Sequence, residues 1–184
     1  MSRYFIEVSY KGTVYSGFQI QENSSTIQSE IEKAFETIHR YAIVLTGSSR
    51  TDAGVHALQN YFHFDTEKEI HDQVVYKMNA ILPGDISVRN LFPMPIEAHS
   101  RFDAVSREYE YRIHSLKDPF LKETSWYFPY KLDFELMQEA ASFIKEQTNF
   151  FAFAKTNSQV KTYNCSVTKS EWLRANGHFI YSIE

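Results

Sequence analysis

From Arg3 the chain alternates, with Tyr4, Ile6, Val8 and Tyr10 projecting to one side and Phe5, Glu7 and Ser9 to the other. That two-residue period predicts a strand, and Lys11-Gly12-Thr13 supplies its turn. Ile27, Ile31, Ala34, Phe35 and Ile38 then recur at three- and four-residue steps, so a helix begins at Ile27. Ser25 and Gln28 have the spacing of a capping box at its start, and Glu36 and Arg40 form an i,i+4 pair near its end. Residues 42–46 are apolar and β-branched and predict a second strand, broken by Gly47-Ser48-Ser49. A third strand is expected over 58–64. Ile70, Val74, Met78 and Ile81 predict a second helix, stopped by Pro83-Gly84-Asp85, and residues 86–92 read as extended.

The order strand, helix, strand, strand, helix, strand is that of the split βαβ, ferredoxin-like arrangement. Its two helices cover one face of an antiparallel sheet, and the other face is free in the way RNA-binding sheets are. Pro93-Met94-Pro95 marks a boundary, dividing the chain into halves 1–95 and 96–184. In the second half residues 107–113 alternate, with Tyr109, Tyr111 and Ile113 on one face. A helix starting at Asp133 carries Leu136, Met137, Ala140, Ala141 and Ile144, and strands follow near 164–172 and 178–183. The second half thus repeats the first without its closing helix and strand. The predicted class is α+β, with two pseudo-repeated ferredoxin- or RRM-like halves whose antiparallel sheets form a central cleft, the second half incomplete. Because the chain stops at Glu184 inside an alternating pattern, the expectation is a protein cut short.

Composition narrows the function classes. The 184 residues are 43% apolar and 23% charged, which excludes a disordered chain. Cys165 is the only cysteine, so internal disulfides, Cys-based zinc clusters and CxxC redox pairs are ruled out and a reducing, cytoplasmic setting fits. No apolar run is long enough for a signal peptide or a membrane span. A net charge of -4 weighs against nucleic acid as a partner. Phe151 to Arg174 nevertheless holds Lys155, Lys161, Lys169 and Arg174 against Glu171 alone, and phosphate binding depends on where charges face. Aromatic residues reach 16%, which means either a thick aromatic core or surfaces that stack on flat ligands.

The chemistry concentrates between the second and third strands, in Gly47-Ser48-Ser49 followed by Arg50-Thr51-Asp52-Ala53-Gly54-Val55-His56-Ala57. Asp52 is flanked by small residues that permit close approach, and Arg50 is placed to keep its carboxylate ionised. The same residues also read as a plain turn, with Asp52 bonding its own backbone and Gly54 taking positive φ. His56 and His63 have no ligand partners at a recognised spacing and read as structural histidines. Arg101, Arg107 and Arg112 are candidates for phosphate contacts, interleaved with Asp103, Glu108 and Glu110. Tyr109 reads either as a core tyrosine or as a base-stacking one, and alternation does not separate it from Tyr111.

The stretch Arg50-Thr51-Asp52-Ala53-Gly54-Val55-His56-Ala57 resembles the signature of the TruA family of tRNA pseudouridine synthases. Tyr10-Lys11-Gly12-Thr13-Val14-Tyr15-Ser16-Gly17-Phe18-Gln19 resembles that family's opening segment. Leu82-Pro83-Gly84-Asp85-Ile86-Ser87-Val88, Arg101-Phe102-Asp103-Ala104, Arg107-Glu108-Tyr109-Glu110-Tyr111 and Asn149-Phe150-Phe151-Ala152-Phe153 fall in the family's order and spacing.

The resemblance implies an isomerase that converts uridine to pseudouridine at positions 38, 39 and 40 of the tRNA anticodon stem-loop. It implies Asp52 as nucleophile, on ribose or base, Arg50 as its partner and filler of the flipped nucleotide's place, and Tyr109 as the ring that stacks on uracil. Arg101 and Arg107 are expected to contact substrate on their charge and placement rather than on the resemblance, a solvated strand face being the alternative reading. The resemblance further implies a homodimer, with no metal or other cofactor. Two positions depart from the family: Lys11 stands for its usual aspartate and Phe18 for its usual tryptophan, both expected in an RNA-facing loop. The family's following segment, with a Met-Val-Arg stretch, a helix and a strand, lies beyond residue 184. A competing reading is therefore a non-catalytic RNA-binding module. A carboxylate hydrolase has weaker support, because no second acid stands at a recognisable spacing from Asp52.

Overall fold

The computed structural model describes residues 1–71, 73–154 and 162–184. They form two compact units, Met1–Val105 and Ser106–Glu184. Lys155 and Lys161 of the basic stretch lie outside the described residues.

The first unit runs β1 (Ser2–Tyr10), α1 (Ile27–His39), β2 (Thr46–Gly47), β3 (Ala57–Thr66), α2 (Val74–Ile81) and β4 (Ile86–Met94). Its sheet is antiparallel in the order β2-β3-β1-β4, so the ferredoxin-like arrangement holds. Period-two alternation puts Ile6, Val8 and Tyr10 of β1 and Phe62 and Phe64 of β3 on one face. That face is buried under Ile27, Ile31 and Phe35 of α1 and Val74 and Met78 of α2. Each fully buried Ile, Phe or Met contributes roughly 1.5–3 kcal/mol by leaving water. The opposite face is not wholly free. At one end Phe5 stacks on His63, and the segment after β4 crosses it: Arg3 donates to Ala98 O (2.7 Å) and Ser100 Oγ donates to Thr46 O (3.1 Å).

Three local expectations are corrected in this unit. Residues 42–45 are not a strand, and only Thr46–Gly47 pairs with β3. The reason is competition from α1: Leu45 donates its N–H to Glu32 (2.9 Å), and Gln28 Nε2 donates to Leu45 O (2.8 Å). The helix satisfies the backbone that a sheet neighbour would otherwise take. Second, the capping box is Thr26 with Ser29, one residue later than expected. Ser25 instead bonds Glu30, and Gln28 is the side chain holding Leu45. Third, Arg40 is no longer helical. It caps α1 at φ 60°, and its backbone N–H donates to Glu36 O (2.8 Å).

The second unit runs β5 (Tyr109–His114), β6 (Trp126–Tyr127), α3 (Phe134–Glu146), β7 (Ser170–Ala175) and β8 (His178–Ile183). Asp133 caps α3 through the N–H groups of Glu135 and Leu136. Strand order is β6-β5-β8-β7. The run β7-β8-β5 repeats β2-β3-β1 of the first unit, and β6 takes the place that β4 has there. Unlike β4, β6 is only two residues long and runs parallel to its neighbour, so this sheet is mixed rather than purely antiparallel. The strand expected near 164–172 begins only at Ser170. Before it, Asn164 makes a single bridge to Asn149. No described helix is long and apolar enough to cross a membrane.

Candidate active site

Residues 48–56 leave the sheet at Gly47 and rejoin it at Ala57, and the opening segment after β1 holds them in place. Two glycines make the approach possible. A Cβ on Gly12 would lie 2.1 Å from Val55 O, and Gly17, at φ +102°, rests against Thr51 O. Hydrogen bonds close the contact: Gly12 N–H to His56 Nδ1 (3.0 Å) and Phe18 N–H to Thr51 O (3.1 Å). His56 thus has the structural role read from the sequence.

Phe18 is not in an RNA-facing loop. It is buried, stacked on Phe62 with centroids 4.3 Å apart, and lies so close to Gly47 that a Cβ there would meet its ring at 2.1 Å. Its ring is core, and its backbone is part of the loop's support. Lys11, the other departure, is exposed.

The turn and the catalytic readings of Asp52 are compatible. Val55 N–H donates to Asp52 O (3.2 Å), and Gly54 takes φ +81° at the third position, as a type II turn requires. The Asp52 side chain is exposed at the head of this turn. Arg50 is exposed two residues earlier, and among the described residues no ion pair joins the two.

The 82–88 segment braces the same region from the other side. Tyr15 is buried and donates its phenol proton to Asp85 Oδ1 (2.8 Å), while Lys11 N–H donates to Asp85 O (2.8 Å). Burial, reinforced by the Asp85 carboxylate, pushes the Tyr15 phenol well above its ordinary pKa. Asn79 of α2 bonds both backbone groups of Val88 (2.8 Å each), tying α2 to β4.

Arg101 also belongs to the first unit. It is exposed beside Phe102, its guanidinium 5.8 Å from that ring's centroid. The turn carrying it is fixed by Asp103, which accepts from His99 N–H (2.7 Å), and by Ser100, which meets His63 Nδ1 at 2.8 Å.

In the second unit Tyr109 opens β5 opposite Ile183, and it is 53% exposed. The core-tyrosine reading therefore fails. Tyr111 is equally exposed at 52%, and its ring lies 6.5 Å from Trp126. Arg107 precedes the strand and is exposed. Arg112 pairs with Glu110 on its own strand, and Lys169 pairs with Glu108 (2.7 Å) and Glu171 (3.8 Å). The described part of the basic stretch is thus partly neutralised by neighbouring acids.

Asn60 lies outside every motif, yet it completes the loop's support by donating from Nδ2 to Ser49 O (3.3 Å). Asn60 was detectable as a polar residue in the buried register of β3, in step with Phe62 and Phe64.

A family model described as tRNA pseudouridine synthase matches residues 6–103. Over the full length of this chain, a protein of Parabacteroides distasonis named tRNA pseudouridine synthase A is 41% identical, and 73% of that relative is covered. The protein of the same name from Porphyromonas gingivalis is 39% identical, with 75% of it covered. The Staphylococcus aureus one is 35% identical over 98% of this chain and 70% of its own length. These findings favour the enzyme, and nothing in them favours a non-catalytic binding module. The matched residues include the turn headed by Asp52 and both segments that brace it, and the chain belongs to the tRNA pseudouridine synthase family.

Proposed function

We propose that this chain isomerises uridine at positions 38, 39 and 40 in the anticodon stem-loop of tRNA, with Asp52 as the nucleophile, and that it works in the cytoplasm as a homodimer. In the reaction the N1–C1′ bond breaks, the uracil turns, and a C5–C1′ bond forms. The proton leaves C5 and N1 ends protonated, so no electrons are exchanged and no group is lost. Such chemistry needs a carboxylate held in place, a cation near it, a flat ring for the detached base, and a nucleotide drawn from its stack.

Asp52 supplies the carboxylate, either to the ribose or to the base. Arg50, two residues away on the same exposed loop, fills the space of the extruded nucleotide. Tyr109 stacks on the uracil, and Arg101 and Arg107 contact substrate phosphates. The observation that carries this reading is the exposed Asp52 side chain on a loop tied to the opening segment, which Asp85 in turn braces. The test is release of tritium from unmodified tRNA labelled at uridine C5. Asp52→Ala is expected to abolish release while tRNA binding persists, and release at the normal rate would overturn the assignment.

A further inference from the structure

No hydrogen bond or ion pair among the described residues holds the Asp52 side chain, so its direction depends on the backbone that carries it. That backbone is fixed most firmly one residue earlier. Thr51 O accepts from Phe18 N–H (3.1 Å), Gly17 packs beneath it, and Thr51 Oγ1 lies 2.9 Å from the hydroxyl of Tyr10. Tyr10 is the last residue of β1 and is 4% exposed.

Asn60 ties this contact into the sheet. Its Oδ1 accepts from Tyr61 N–H (2.9 Å), which fixes the amide orientation, and its Nδ2 donates to the Tyr10 hydroxyl oxygen (3.2 Å) and to Ser49 O (3.3 Å). The Tyr10 hydroxyl thus joins Asn60 of β3 to Thr51 Oγ1 of the loop. The relay runs from the centre of the sheet to the residue beside the carboxylate. Along the way it spans both sides of the loop, since Asn60 also grips Ser49.

We propose that Tyr10 is a positioning residue for the reaction: through Thr51 it sets the aim of the Asp52 carboxylate. The proposal rests on the reading of Asp52 as nucleophile. Tyr10 touches neither substrate nor reacting atoms in this role, and its removal acts on the chemical step rather than on tRNA capture. A misplacement of about 1 Å in a reacting group costs on the order of a hundredfold in rate.

The test compares Tyr10→Phe, Thr51→Val, Thr51→Ser and the Tyr10→Phe/Thr51→Val double variant of the full-length protein on unmodified tRNA, with Asp52→Ala alongside. Tyr10→Phe keeps the buried ring, and thermal melts verify the fold. The expected result for Tyr10→Phe is a fall of about 10- to 100-fold in kcat with an unchanged KM for tRNA. Thr51→Val should fall similarly, the double variant should fall no further, and Thr51→Ser should retain activity because it keeps the oxygen. If Asp52→Ala is inactive while Tyr10→Phe keeps its full kcat, or the two losses multiply, the positioning role is overturned and the nucleophile stands. If Asp52→Ala is active, the nucleophile reading and this proposal fail together. Should Tyr10→Phe prove too unstable, Thr51→Val against Thr51→Ser decides the question: equal kcat values overturn it.

Discussion

Gly12 and Val55 meet backbone to backbone, with the Val55 carbonyl oxygen 2.1 Å from where a Cβ on Gly12 would be. The contact joins the turn after β1 to the far side of the loop headed by Asp52, and only hydrogen fits between them. Gly12→Ala must therefore displace one of the two strands of chain. The expected outcome is a loss of about a hundredfold or more in tritium release. Denaturant unfolding should show a smaller cost, about 1–3 kcal/mol, because the collision lies at the edge of the core.

Phe18 gives a second test, because its sequence context suggested substrate contact and the structure buries it on Phe62. Phe18→Ala is expected to destabilise the protein by about 3–5 kcal/mol in urea unfolding. A variant of ordinary stability with weakened tRNA binding would contradict this placement.

His63 links stability to pH. Burial, then the Arg3 charge and His99, lowers its pKa from 6.5 to about 4, so the folded protein holds it neutral. Between those values the unfolded chain binds the extra proton, and stability rises with pH there. The contribution is complete above pH 6.5 and is lost as pH falls toward 4, to a total on the order of a few kcal/mol. His39, lowered chiefly by burial, acts with the same sign. Asp65 acts lower: hydrogen bonds from Arg3 hold its carboxyl below the ordinary 3.8, so its contribution persists above that value and disappears in stronger acid. Urea unfolding across pH 4 to 7 should show this slope, and His63→Phe should flatten most of it.

The register of the α1 cap separates two neighbouring residues. Thr26 is fully buried and exchanges bonds with Ser29, whereas the Ser25 side chain donates to Glu30 at the surface. Thr26→Ala is expected to cost about 1–2 kcal/mol and Ser25→Ala less than about 0.5. Thermal unfolding of the two single variants measures both.

Alternation in β1 and the helical spacing from Ile27 were enough to order the elements of the first unit, because burying one face of each leaves few arrangements. The Asp52 loop was legible too, through its match to a family signature and its place between two strands. What lay beyond the sequence depended on neighbours distant along the chain. Residues 42–45 have strand composition, yet Gln28 and Glu32 of α1 take both backbone hydrogen-bonding groups of Leu45. Phe18 sits in a glycine-rich turn, yet Gly47 opens a slot for its ring. Tyr10 looks like one more core residue of an alternating strand, yet its hydroxyl meets both Asn60, fifty positions on, and Thr51. Periodicity records which side of an element is buried. Which polar group meets which is decided by closure of the sheet, when each buried donor must find an acceptor.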